Sequence, residues 1–96
     1  MTVHVISKLR IQSDKVNDAK ALFNSLLVPS RAHAGCIKYN VYQDRNDPQE
    51  FAFIEEWQTE KALDDHLATD LLKQGFARVG KLVETAPVVQ RLNFLG

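Results

Sequence analysis

Between Val3 and Ile11 the chain alternates: Val3, Val5, Leu9 and Ile11 fall on one side, His4, Lys8 and Arg10 on the other. This is the period-two pattern of a half-buried strand. Ser7 breaks the apolar side, where a hydroxyl must either bond to backbone or line a pocket. The period then lengthens. Val16, Ala19, Leu22, Phe23, Leu26 and Leu27 recur at helical spacing, which predicts a core helix capped by Ser13 and ending at Val28, just before Pro29. From Pro29 to Gly35 no period is visible, so this segment reads as a loop with room for a short helical turn, and it holds His33. Cys36 to Gln43 and Phe51 to Gln58 are rich in aromatic and β-branched residues and flank the polar stretch Asp44 to Glu50, an antiparallel hairpin. Thr59 offers an N-cap to a helix carrying Ala62, Leu63, His66 and Leu67. Asp70 opens another, with Leu72, Phe76, Val79 and Val83 on one stripe, which Gly75 and Gly80 either weaken or allow to pack closely. Pro87 ends the helical region, and Val88 to Leu95 reads as a last strand.

Strand, helix, strand, strand, helical region, strand is the order of the split βαβ, or ferredoxin-like, arrangement. The expected fold class is α+β: a four-stranded antiparallel sheet with helices on one face. With 96 residues, the chain is expected to form one domain over residues 1–96. The other sheet face would carry Ile6, Tyr42 and Ile54. The last strand would add either Val89 and Leu95 or Val88, Leu92 and Phe94. Such an apolar surface asks for a cover, and a homodimer pairing these faces is the simplest one.

Charge removes several function classes. Twelve basic residues balance twelve acidic ones, with no long run of either sign, so nucleic acid is not an expected partner. No apolar stretch approaches the roughly 20 residues that span a bilayer, and Met1 to Arg10 has no signal-peptide pattern. The expectation is a cytoplasmic protein without a membrane partner. Cys36 is the one cysteine, and His4, His33 and His66 are scattered singly, so no zinc spacing is present and no metal is expected. Cys36 reads as a small hydrophobe, and His4 and His33 as solvated edge or loop groups.

The candidate chemistry lies on the third strand and the helix after it. Alternation puts Phe51, Phe53, Glu55 and Trp57 on one face, so a carboxylate stands in an aromatic row, where desolvation would raise its pKa. His66 shares the stripe of Leu63 and Leu67 and faces the core. The chain turns from Trp57 directly into this helix, so two turns could lay the imidazole over the indole. Each residue also has a plain structural reading: Trp57 as core, His66 satisfied by a carbonyl or by Asp70, and Glu55 in a solvated or intersubunit pair.

The runs Gly35-Cys36-Ile37-Lys38-Tyr39-Asn40-Val41-Tyr42, Phe53-Ile54-Glu55-Glu56-Trp57 and Ala62-Leu63-Asp64-Asp65-His66-Leu67 resemble the signature of the antibiotic-biosynthesis-monooxygenase family. The likeness extends over nearly the whole chain. It implies a dimeric α+β barrel. In oxygenase members it implies oxidation of hydroquinones or polycyclic phenols by molecular oxygen without flavin, haem or metal, hence no cofactor. An electron-rich phenol, once deprotonated, can itself reduce oxygen, so the protein need supply only a base, an apolar pocket and exclusion of water. In that scheme His66 is the base or substrate hydrogen-bond partner, since an imidazole titrates near neutral pH. Trp57 stacks or hydrogen-bonds, and Glu55 orients an imidazole or a hydroxyl. Tyr39, Phe53, Phe76 and Ser7 contact the substrate. Haem-degrading relatives use an Asn on the first strand, where this chain offers Ser7, which argues against that activity. An isomerase or lyase acting on an enolisable metabolite, and a non-enzymatic binding or stress-response dimer, remain alternatives on the same scaffold.

Overall fold

The computed structural model describes residues 1–96. Its elements are β1 (Val3–Arg10), α1 (Val16–Arg31), β2 (Cys36–Gln43), β3 (Glu50–Trp57), α2 (Glu60–Leu67), α3 (Asp70–Val79) and β4 (Val88–Leu92). The four strands form one sheet in the order β2-β3-β1-β4, and every neighbouring pair is antiparallel. This is the α+β ferredoxin-like arrangement that the periodicity predicts.

Register decides which side chains face the helices. Val5 lies opposite Glu55 and Ser7 opposite Phe53, Tyr39 pairs with Glu55, and Val5 and Ser7 meet Arg91 and Val89 on the far side. The inner face therefore carries the aromatic row of β3, the apolar side of β1, and Val89 with Arg91 of β4. Helix α1 covers it with Phe23, whose ring meets Phe51 at 5.3 Å and Phe53 at 5.0 Å in edge-to-face contacts, a geometry that aromatic quadrupoles favour.

Four sequence expectations change. Helix α1 starts at Val16 after Lys15, with no side-chain cap; the Gln12 carbonyl accepts from Lys15 N–H, so Ser13 sits inside a turn and does not cap. The helix also runs through Pro29 to Arg31. Pro29 is exposed, so the Ser25 carbonyl that loses its donor can be hydrated, and the break costs little this near the end. Helix α3 stops at Val79 with Gly80 as its C-cap, and Val83 instead bridges to Ile11. Strand β4 ends at Leu92. Thr59 caps α2 as expected, its hydroxyl accepting from Ala62 N–H at 3.0 Å; Thr69 caps α3, with Asp70 as the first helical residue.

The outer sheet face shows Ile6, Ile54, Tyr42, Val88 and Leu92, with Tyr42, Ile54, Val88 and Leu92 exposed. Phe94 stacks on His4 at the edge of this face. Of the two alternatives for the last strand, the structure selects Val88, Leu92 and Phe94.

Two glycines make opposite demands. Gly35 has φ 83°, and a Cβ there would lie 2.5 Å from the Ala62 Cβ, whereas at Gly75 the nearest atom is a Leu26 methyl at 3.3 Å. Gly35→Ala is expected to destabilise the protein by at least about 2 kcal/mol through left-handed backbone strain and the clash with α2. Gly75→Ala is expected to stay within about 1 kcal/mol of wild type, because helix propensity offsets a small shift of Leu26. Urea denaturation of both variants checks the contrast; equal losses would contradict it.

Candidate functional site

A cavity of about 130 Å³ lies between the inner sheet face and the three helices. Its lining is mainly apolar, with Phe23, Tyr39, Phe53, Leu63 and Phe76 among the walls. The polar groups that reach it are Ser7, Glu55, His66 and Arg91. Of the sequence-predicted site residues, Ser7, Tyr39, Phe53, Glu55, His66 and Phe76 thus converge on one cavity. Phe76 stands at its mouth, 52% exposed.

Trp57 is placed differently from a pocket wall. It is fully buried and outside the lining, behind His66, with ring centroids 4.4 Å apart and planes tilted by 35°. Its Nε1–H donates to Glu55 Oε1 at 2.9 Å. The carboxylate therefore turns toward the indole of its own strand and makes no hydrogen bond to His66. That local bond follows from alternation, since residues i and i+2 of a strand project on the same side.

His66 comes to the cavity because α2 begins immediately after β3. Thr59 caps it, Leu63 and His66 form its buried stripe, and the imidazole returns over Trp57 and beside Tyr39, whose ring lies 5.3 Å away. Its Nδ1 is 2.8 Å from Nδ1 of His33. His33 follows α1, half-buried, with its backbone N–H donating to the Ser30 carbonyl. The sequence reading of His33 as a solvated loop group is corrected: continuation of α1 past Pro29 swings it onto α2. Neither a carbonyl nor Asp70 satisfies the His66 ring.

The electrostatics follow from burial. Desolvation lifts the Glu55 carboxyl above the usual carboxylate range, and the Trp57 N–H pulls part of that back. Desolvation, with the neighbouring His33, pushes His66 down from 6.5 to about 4. His66 is thus a neutral imidazole near pH 7, a hydrogen-bond partner at rest and not a standing cation. Tyr39 and Cys36 are both pushed up by burial first and by Glu55 second, so the phenol and thiol stay protonated at neutral pH. Arg91 leans away, its Nη2 donating to Asp64 at 2.7 Å.

Two residues of the site escaped the sequence reading. Arg91 could have been found once Val88 and Leu92 were assigned outward, since alternation then turns Val89 and Arg91 inward. His33 carries no local signal, because its partner lies in another helix.

The unfolded chain protonates His66 near 6.5 and the folded chain near 4. Between these values the unfolded state binds more protons, so His66 lowers stability progressively as pH falls from 6.5 to 4, by about 3 kcal/mol in all. Urea unfolding midpoints measured from pH 7 to 4 are expected to fall more steeply for wild type than for His66→Gln. Parallel curves would mean that His66 titrates alike in both states.

The family model for antibiotic biosynthesis monooxygenase matches residues 2–78. A Mycobacterium tuberculosis protein named "Putative monooxygenase Rv0793" is 31% identical over 86 residues, which cover 90% of this chain and 83% of that one. The solved structure of Rv0793 superposes with a TM-score of 0.94 at 27% identity, covering 100% of this chain and 97% of that chain. A crystal structure of an antibiotic biosynthesis monooxygenase gives a TM-score of 0.93 at 26% identity, covering 98% and 99% of the two chains. An uncharacterized Synechocystis protein, sll1783, is 35% identical over 65 residues, 68% of this chain but 44% of its own length, so the chain spans under half of that relative. With the family model matched over most of its length and the fold superposing end to end, the chain belongs to the antibiotic biosynthesis monooxygenase family.

Proposed function

We propose that the protein is a monooxygenase that oxidises a single-ring hydroquinone or phenol with molecular oxygen, using its own side chains to start the reaction. The observation that carries this reading is the apolar cavity of about 130 Å³ into which Glu55 and His66 both open. A cavity of about 150 Å³ lined by aliphatic and aromatic side chains holds benzene, so the enclosed space here suits one six-membered ring. Family membership and the monooxygenase names of relatives support the reaction class.

The chemistry needs a proton removed from a ring hydroxyl. His66 is neutral, and its Nε2 makes no hydrogen bond within the protein while Nδ1 is held by His33. It therefore offers an acceptor to a hydroxyl in the cavity. Ser7 can donate to a second ring oxygen. The deprotonated ring passes an electron to oxygen, and the resulting radical pair closes a carbon–oxygen bond. For hydroquinone itself the balance is one hydroquinone and one O2 giving one hydroxybenzoquinone and one water. The apolar lining keeps bulk water from the intermediates. Trp57, its indole N–H held by Glu55, supports His66 from behind.

A homodimer is part of this proposal. The exposed Ile54, Tyr42, Val88 and Leu92 on one flat sheet face support face-to-face pairing of two copies about a twofold axis.

Oxygen uptake with hydroquinone tests the activity, with the bicyclic menadiol for comparison. Hydroquinone is expected to turn over faster, and His66→Ala is expected to lower the rate by about 100-fold or more while the protein stays folded. An unchanged rate in that variant would remove His66 from the mechanism. No oxygen uptake on either hydroquinone, with anaerobic turnover of an enolisable metabolite, would assign proton transfer instead. Sedimentation of Ile54→Lys is expected to show a monomer where wild type is a dimer; a monomeric wild type would discard the pairing.

A further inference from the structure

His33 is the one polar group in contact with His66 that the oxygen chemistry above leaves without a task. The two Nδ1 atoms lie 2.8 Å apart, with ring centroids at 5.0 Å and planes tilted by 60°. In such a pair one nitrogen carries the proton and the other accepts it. His66 lines the cavity. His33 lies on the α1–β2 connection and is partly open to solvent. Neither Nε2 has a partner within the protein. The two rings therefore form a short path of four nitrogens leading from the cavity wall to the surface.

The path answers a difficulty in using His66 alone. An imidazole that is 2% exposed resists carrying a charge. It lies against the Tyr39 ring of β2 and the Trp57 ring of β3, and the nearby Glu55 of β3 is turned to Trp57. On α3 and β4, the charged group at the cavity is Arg91, which is held by Asp64 of α2. No acidic side chain is hydrogen-bonded to His66 to hold it as a cation. Such a ring accepts a proton at Nε2 readily only if it gives one up at Nδ1 in the same event.

We propose that His33 is a positioning residue forming the outer half of a two-imidazole relay, which carries the substrate's hydroxyl proton from His66 to bulk water. The proposal rests on His66 taking that proton. At rest His66 is protonated on Nδ1 and donates to His33 Nδ1, and His33 is protonated on Nε2. When the ring hydroxyl gives its proton to His66 Nε2, the Nδ1 proton crosses to His33, and His33 releases its Nε2 proton to water. Each ring gains one proton and loses one, so neither ends charged. The reverse passage delivers a proton to the reduced oxygen that leaves as water, and it restores both rings.

Two measurements test this. In the resting protein with 15N-labelled histidines, NMR is expected to show His66 protonated on Nδ1 and bare on Nε2, with a nitrogen–nitrogen coupling across the pair that His33→Asn abolishes. A proton on His66 Nε2 at rest would overturn the relay, whatever the activity. In oxygen uptake with hydroquinone, His33→Ala is expected to lose about tenfold or more in kcat with KM unchanged, and added imidazole is expected to restore it. His33→Asn, which keeps a hydrogen-bonding side chain against His66 but cannot pass a proton, is expected to show the same loss. Full kcat in both His33 variants, with His66→Ala inactive, would overturn the relay and leave His66 as the base. Full rate in His66→Ala would overturn both.

Discussion

The bond from Trp57 Nε1–H to Glu55 Oε1, 2.9 Å long and wholly inside the protein, is the contact on which the rest of the site depends. Alternation along β3 forces a carboxylate into a row of three aromatic side chains, and an unpartnered carboxylate there would cost several kcal/mol. The nearest donor that strand geometry can supply is the indole two residues on. Meeting that need fixes the plane of the Trp57 ring, and the ring in turn becomes the floor on which the imidazole of His66 rests at 4.4 Å. Removing the carboxylate would leave a buried indole N–H unpaired; removing the indole would leave the carboxylate exposed to the cavity alone.

Placement of His66 on that floor is a matter of chain length. Two residues separate the end of β3 from the first turn of α2, and the Thr59 cap sets the direction of departure. On the other side, Gly35 lets the α1–β2 connection pass against α2, since any Cβ there would strike Ala62. Its carbonyl accepts from Gln58 N–H at 2.8 Å. The same approach brings His33, two residues earlier, against His66. The histidine pair is thus a consequence of backbone contact between two connections at one end of the sheet.

The parts of this arrangement that were legible in the sequence are those governed by period. Alternation in β1 and β3 placed Ser7, Phe53, Glu55 and Trp57 on one face, and helical spacing placed His66 inward with Leu63. Those are local rules with strong signals. The unreadable parts depended on tertiary contact. Proline at position 29 is a helix stop by propensity, yet an exposed proline in a last turn gives up only one hydrogen bond, and the turn continues to the buried Ser30 behind it. His33 was unreadable for the same reason. Trp57 shows the intermediate case: its face was evident, but whether it would touch a ligand or stand behind one depended on where α2 put His66.

The site's charge arrangement runs against stability, and that is informative. A buried carboxylate and a buried imidazole in one cavity would be most stable as an ion pair, yet Glu55 is turned to an indole and His66 to a second imidazole. Burial raises the carboxyl's pKa, which the indole N–H partly offsets, and lowers that of the imidazole, which His33 lowers further. A core chosen only for stability would replace both with apolar residues of similar volume. Two titratable groups kept apart, each with one polar atom left open toward an apolar space of one ring's size, instead suit a reaction in which a proton must leave a weakly acidic hydroxyl for a neutral imidazole.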